Sequence, residues 1–294
     1  MSHRHLSALD LCFSYDRDAA VLAQANLDIA PGSRVALLGA NGSGKSTLLQ
    51  CLAGTLTPQS GVIALDGRPM SWSRRGLRCH RQAVQLVFQD PDDQLFSADV
   101  AEDVAYGPVN LGLSGTEIRE RVDRALKLLK IDDLRARPTH QLSFGQRKRV
   151  AIAGAVAMQP CVLLLDEPTA GVDPAGVDAL FATLADLERA GTTVTMSTHD
   201  TALALDWADS VAIVDRGVIR QGLPMRMLGD AGLIEAAQLR TPWLIRLTED
   251  LIADGVLPSD ARPGTPSVLR AQLKSAQHAA CRDAQADATT GRPG

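Results

Sequence analysis

The sequence predicts an α/β fold built on a mostly parallel sheet with crossover helices. Short apolar runs at residues 33–38, 84–88, 162–165, 192–197 and 211–214 read as buried strands. Helical patterns at 45–53, 144–158 and 174–190 alternate with them, the order that parallel strands and crossover helices require. A glycine-rich stretch, Gly39 to Gly44, stands where a strand gives way to a helix.

The elements follow in order. Residues 6–15 alternate loosely as a strand, 27–29 keep that character, and Pro31-Gly32 turns the chain. The helix at 45–53 is stopped by Gly54, and further strands are expected at 62–65 and 84–88. Between Val100 and Ile131 the pattern is helical, with a capping-box sequence at Ser114-Gly115-Thr116-Glu117. Ile118, Val122, Leu126 and Leu129 fall on one face, while Glu120–Arg124 and Asp123–Lys127 have i,i+4 spacing for ion pairs on the other. The helix at 144–158 stops near Pro160, and that at 174–190 ends at Gly191. After Gly222 the strand signals fade, and 225–253 is helical in character, interrupted by Thr241-Pro242. From Pro258 the composition shifts to Ala, Arg, Asp, Pro, Gly and Thr. Leu269 and Leu273 mark one short helix there, and 283–294 reads as disordered.

Composition excludes several classes. A formal net charge of −4 argues against a surface that grips nucleic acid throughout, and 3% aromatic residues leave few stacking platforms for single strands. No apolar run approaches the roughly 20 residues of a membrane span. The N-terminus, Met1-Ser2-His3-Arg4-His5, leads into no signal-peptide stretch, so a cytosolic chain is expected. Cys12, Cys51, Cys79, Cys161 and Cys281 form no Cys-x-x-Cys pair, which favours reduced thiols over disulfides or zinc. His3-x-His5 is a weak metal motif.

The stretch Gly39-Ala40-Asn41-Gly42-Ser43-Gly44-Lys45-Ser46-Thr47 fits G-x-x-x-x-G-K-[ST] between an apolar strand and a helix. Its glycines let successive N–H groups turn toward one anion, and the helix adds its positive N-terminal end. Lys45 reaches the β- and γ-phosphates of a nucleotide, and the Ser46 hydroxyl suits magnesium. A second motif, residues 162–167, is an apolar strand ending in Asp166 and Glu167. Asp166 suits magnesium, and Glu167 can polarise a water. A small-molecule kinase has no use for that second carboxylate, because water is the nucleophile it must avoid.

The third motif is Leu142-Ser143-Phe144-Gly145-Gln146, which opens a helix continuing as Arg147-Lys148-Arg149-Val150-Ala151-Ile152-Ala153. With it, residues 5–222 resemble the nucleotide-binding subunit of ABC transporters, whose signature is Leu-Ser-Gly-Gly-Gln. The resemblance implies a P-loop NTPase of ABC type: a mostly parallel sheet with flanking helices, an antiparallel β subdomain and a helical signature subdomain. A helical C-terminal extension at 223–257 and a low-complexity, largely disordered tail at 258–294 would follow. It implies binding and hydrolysis of ATP with Mg2+. Tyr15 would stack on adenine, Gln89 would contact magnesium and water as the Q-loop glutamine, and His199 would act as the switch histidine on the γ-phosphate. Ser143, Gly145 and Gln146 would serve the nucleotide of a partner chain in a head-to-tail homodimer or paralogue heterodimer. Ala170-Gly171-Val172-Asp173 resembles the D-loop, with Asp173 reaching across. Two departures stand out: Phe144 replaces a signature glycine, and Ala170-Gly171 stands where many members have Ser-Ala.

The segment Gln89-Asp90-Pro91-Asp92-Asp93-Gln94 is unusually acidic and, with the Leu-Ser-Phe-Gly-Gln signature, resembles the energy-coupling-factor (ECF) importers. That class implies a transmembrane coupling subunit, a membrane substrate-binding subunit and a place on the cytoplasmic face of the membrane. The three carboxylates would receive an arginine-bearing helix of the coupling subunit. Gln238-Leu239-Arg240-Thr241-Pro242-Trp243-Leu244 resembles a segment of cobalt- and nickel-type ECF ATPases, which puts a divalent metal ahead of a vitamin as cargo. A soluble ABC ATPase of nucleic-acid or translation processes is the alternative from another class. Neither the long coiled-coil insertion nor the second nucleotide domain of such proteins is present.

Overall fold

The computed structural model describes residues 3–16 and 20–290, with side chains through His278. Strands β1 (Leu6–Phe13) and β2 (Leu22–Ile29) pair antiparallel. The chain then enters the main sheet as β3 (Val35–Leu38) and leaves it as helix α1 (Lys45–Leu52). β4 (Ser60–Leu65) returns to pair with β1, and the short β5 (Arg68–Pro69) completes an antiparallel sheet of order β2-β1-β4-β5. Helix α2 (Arg74–Ala83) leads to β6 (Val84–Val87). The helical layer follows as α3 (Val100–Asn110), α4 (Gly115–Leu128) and α5 (Phe144–Ala157).

From α5 the chain alternates as β7 (Val162–Leu165), α6 (Pro174–Arg189), β8 (Thr193–Thr198), α7 (Thr201–Trp207), β9 (Ser210–Asp215) and β10 (Val218–Gly222). The second sheet has order β10-β9-β3-β8-β7-β6, parallel except for the edge strand β10. Its central strands are buried on both faces, as parallel strands covered on both sides must be. Alternation splits them between two cores. Val35 and Leu37 of β3 face a core shared with α1 and the antiparallel sheet, whereas Ala36 and Leu38 face one shared with α5 and the C-terminal helices. Val162 and Leu164 of β7 divide from Leu163 and Leu165 in the same way. The two sheets meet at Gln221, whose side-chain amide exchanges hydrogen bonds with the backbone of Asp28.

The mostly parallel sheet, the antiparallel subdomain and the helical subdomain all agree with expectation. The capping box Ser114–Glu117 is formed, and Val122, Leu126 and Leu129 are buried. Other details differ. Asp123 pairs not with Lys127 but with Arg135, brought alongside by the turn after α4. Helix α2 carries arginines and a histidine with little apolar patterning, so periodicity gave it no signal.

The C-terminal region continues as α8 (Pro224–Leu228), α9 (Ala231–Ala236), α10 (Trp243–Ala253) and α11 (Pro266–Thr290). The expectation of disorder beyond Pro258 is therefore corrected: Ala261 and Leu269 join the core beside α5, and the helix runs to Thr290. Its alanine content explains this, since alanine carries the highest helix propensity, whereas composition alone had suggested a solvated tail. Residues 291–294 lie outside the described residues. No helix among the described residues is long and apolar enough to cross a membrane.

Candidate active site

β3 and α1 hold the glycine-rich loop between them. Gly44 is the N-cap of α1 with φ +107°, and a Cβ there would stand 2.9 Å from the Val21 carbonyl oxygen. Only glycine fits such a position without strain. Lys45 follows as the first helical residue and is buried, its Nζ donating to the carbonyls of Gly39 (2.8 Å) and Ala40 (3.0 Å). Burial lowers its pKa, against the opposing pull of Glu167 and Asp166. Ser43 Oγ is buried with no hydrogen-bond partner. An orphaned polar atom at the start of a helix suits an anion that would complete it.

The end of β7 supplies the acids. One step past the Leu165–Met196 register pair, Asp166 and Glu167 meet Ser197 of β8. Ser197 Oγ donates to Asp166 Oδ1 and accepts the Glu167 N–H at 2.9 Å, so one hydroxyl orients both acidic residues. Both carboxylates are buried. Glu167 has φ +44°, the left-handed region, which is strained for this residue type and is characteristic of functional turns. Its Oε2 lies 3.1 Å from Nδ1 of His199, whose side chain is 70% exposed.

Lys45, Asp166, Glu167 and His199 line one cavity of about 1100 Å³. The structure brings together Tyr15, Gly39, Asn41, Gly42, Gly44, Lys45, Ser46, Thr47, Gln89, Asp166, Glu167 and His199 on its wall. Tyr15 is 62% exposed, edge-on to Phe13, with its hydroxyl 3.2 Å from Thr47 Oγ1. Ser46, Gln89 and Asp166 present hydroxyl, carboxamide and carboxylate oxygens, the hard donors that magnesium takes.

Three features of this site were not legible from the residues alone. Ser197 is invisible as an organiser because serine near a strand end is commonplace. Lys148 is buried, its Nζ donating to the Glu167 carbonyl at 2.7 Å. Gln238, Leu239 and Arg240 of the C-terminal extension also line the cavity, held there by Thr201 Oγ1 donating to the Arg240 carbonyl at 2.7 Å. Their resemblance to an importer segment was legible, but not their position.

Ser143, Gly145, Gln146 and Asp173 lie outside this cavity. Ser143 and Gln146 form a capping box on α5, and Asp173 caps α6 through the Gly176 N–H at 2.9 Å. The acidic turn also departs from expectation as a set of three free carboxylates. Asp90 accepts the Asp92 N–H, and Asp92 Oδ1 lies 2.8 Å from Arg147 Nε, an ion pair whose N–H is not aimed for a good hydrogen bond. The reason is local: the turn packs beside the first turn of α5, which carries its own arginine. His3 and His5 do not converge on one ligand, since His5 Nε2 meets Asp28 at 2.6 Å and His3 meets Thr193.

A family model described as ABC transporter matches residues 22–170. The chain belongs to the ABC transporter ATP-binding family. As an ABC-type ATPase it is 48% identical over 270 residues to the cobalt import ATP-binding protein CbiO of Rhodobacter capsulatus, covering 91% of this chain and 96% of that protein. It is 44% identical over 243 residues to the energy-coupling factor transporter ATP-binding protein EcfA of Methanocaldococcus jannaschii, covering 82% and 87%. The solved structure of cbiO1 from Clostridium perfringens, part of the ABC transporter complex cbiONQ, superposes with a TM-score of 0.70 at 43% identity, covering 83% of this chain and 98% of that one. The chain is thus an ATP-binding subunit of the ABC and ECF transporter class.

Proposed function

We propose that this ABC ATPase drives uptake of a divalent metal ion, cobalt or nickel, through membrane subunits docked on its surface at the cytoplasmic face. The observation that carries the reading is the match to the cobalt import protein. It covers 91% of the chain, so it extends past the cassette of residues 5–222 into the C-terminal extension that lines the nucleotide cavity.

In this reading adenine rests on Tyr15, and the triphosphate lies along residues 39–47. Lys45 exchanges its carbonyl partners for phosphate oxygens, and the orphaned Ser43 hydroxyl gains an acceptor. A magnesium ion held by Ser46, Gln89 and Asp166 would neutralise phosphate charge. Glu167 takes a proton from the attacking water as its oxygen bonds to the γ-phosphorus and the bond to the bridging oxygen of ADP breaks. His199, hydrogen-bonded to Glu167, fixes the carboxylate and faces the γ-phosphate. Ser143, Gly145, Gln146 and Asp173 stand outside the cavity, which supports the reading that a second chain brings its own copies to each nucleotide. That chain is a second copy or a paralogue.

The membrane partner would dock beside the Q-loop. Phe96 and Tyr106 are 64% and 51% exposed and stack edge-on at 4.5 Å. Buried Asp103 holds the loop by accepting the N–H groups of Phe96 and Ser97, each at 2.9 Å. Asp92 is paired with Arg147, and Asp93 is exposed and open to a partner arginine. The test is reconstitution with a transmembrane coupling subunit and a membrane substrate-binding subunit of the ECF class. ATP-dependent accumulation of radiolabelled cobalt or nickel is expected, and Phe96→Ala/Tyr106→Ala should lose both co-purification and uptake. Accumulation of a vitamin with no metal uptake would select the ECF micronutrient alternative. ATPase stimulation by RNA or DNA, with no membrane partner recovered, would select the soluble class.

A further inference from the structure

Helix α5 carries a buried cation for which the reaction outlined above has no use. Lys148 is 1% exposed, and its Nζ donates to the carbonyl oxygens of Glu167 at 2.7 Å and Ala170 at 3.1 Å. The Phe144 ring centroid lies 5.6 Å from the same nitrogen, within the range of a cation–π contact. Removing an ammonium from water is costly, and an apolar side chain of similar length would fill the space without that cost. Burial accordingly pushes the Lys148 pKa down to about 8, even though Glu167, Asp166 and Asp90 all pull it upward.

What the lysine gains is a grip on two particular carbonyls. Glu167 sits at φ +44°, and its carbonyl also accepts the Ala170 N–H at 3.1 Å. Lys148 thus fastens both ends of the turn from Glu167 to Ala170. Gly171 follows at φ +71°, and a Cβ there would lie 2.8 Å from Cε1 of Phe144. The two departures from the family pattern, phenylalanine in the signature and glycine in the D-loop, therefore face each other. The glycine leaves the room that the ring fills, and the ring covers the lysine.

We propose that Lys148 is a positioning residue for hydrolysis, fixing the Glu167 main chain to the helix whose N-terminus carries Ser143 and Gly145. This rests on the reading of Glu167 as the base and of Ser143 and Gly145 as contacts to the opposite nucleotide. The same two hydrogen bonds then tie closure of the signature on one ATP to placement of the base at the other. Lys148 does not line the nucleotide cavity, so its loss should leave ATP affinity intact.

The experiment uses the full chain with ATP and magnesium, comparing wild type, Lys148→Met, Lys148→Gln and Glu167→Gln. Misplacement of a reacting group by about 1 Å costs about 100-fold. Lys148→Met, which keeps the stem and removes the donors, should therefore lower kcat by about 10- to 100-fold. Its dissociation constant for ATP, read by titration calorimetry, should stay within about 2-fold, which is about 0.4 kcal/mol at RT of 0.59 kcal/mol. Lys148→Gln keeps an N–H donor and should recover part of kcat. Wild-type kcat in Lys148→Met overturns the proposal. So does a parallel loss of kcat, ATP affinity and melting temperature in both variants, which would mark Lys148 as structural. If Lys148→Met does not fold, Lys148→Leu, which also removes the donors, carries the test: lower kcat at unchanged ATP affinity supports the role, and wild-type kcat ends it. Glu167→Gln separates the premises, because wild-type turnover in that variant removes the base reading whatever Lys148 does.

Discussion

Glu167→Gln is expected to slow ATP hydrolysis by about 100- to 10,000-fold, the range a positioned general base supplies. ATP affinity should be unchanged, because the glycine-rich loop and Lys45, which would hold the phosphates, remain in place. The substitution is nearly isosteric. It keeps the backbone hydrogen bonds to Ser197 and Lys148, so the left-handed turn should survive. An amide cannot accept the proton of the attacking water, and it meets His199 as a neutral group rather than a carboxylate. Single-turnover hydrolysis with radiolabelled ATP, alongside binding of the same nucleotide, separates the two effects. Turnover near wild type would remove Glu167 from the base role and leave His199 and Gln89 as the groups to examine.

Lys45→Ala should act at the other step. Charge-assisted hydrogen bonds contribute about 1.5–3 kcal/mol each, so losing the lysine should weaken ATP binding by roughly 10- to 150-fold. The substitution also orphans the Gly39 and Ala40 carbonyls in the free protein, which lowers stability a little as well. Titration calorimetry with ATP and with AMP distinguishes these contributions. The effect belongs to the β- and γ-phosphates, so AMP binding should change far less. Equal loss for both nucleotides would mean that the loop itself had collapsed.

The contrast between these two residues shows what sequence alone can carry. The glycine-rich loop was legible because its chemistry is local: the six residues Gly39 to Gly44 and one lysine form a candidate anion site between a strand and a helix. Asp166 and Glu167 were legible because an apolar strand ending in two acids follows a glycine-rich phosphate loop in the same chain. The main sheet was legible because its strands are buried on both faces and read as unbroken apolar runs. Ser197 and Lys148 were not, since each acts through a neighbour 19 to 31 residues away in sequence. Only the β7–β8 register and the packing of α5 reveal them. The same reason hid the pairing of Phe144 with Gly171: each looked like a separate departure, and only their contact explains both. The acidic turn misled for the opposite reason. Three carboxylates read as one surface, yet Arg147 and a backbone N–H had already engaged two of them. Helix α11 was obscured by composition, because alanine favours a helix while the intervening polar residues suggest a solvated chain.

The signature residues and Asp173 lie outside the nucleotide cavity, and in the proposed reading they serve another molecule's nucleotide. Sedimentation velocity of Glu167→Gln, with and without ATP and magnesium, measures this most directly. A monomer is expected without nucleotide and a dimer with ATP, and adding Ser143→Arg should return the protein to a monomer that still binds ATP. A Glu167→Gln protein that binds ATP yet stays monomeric at saturation would contradict self-pairing. A dimer unaffected by Ser143→Arg would contradict the role given to the signature.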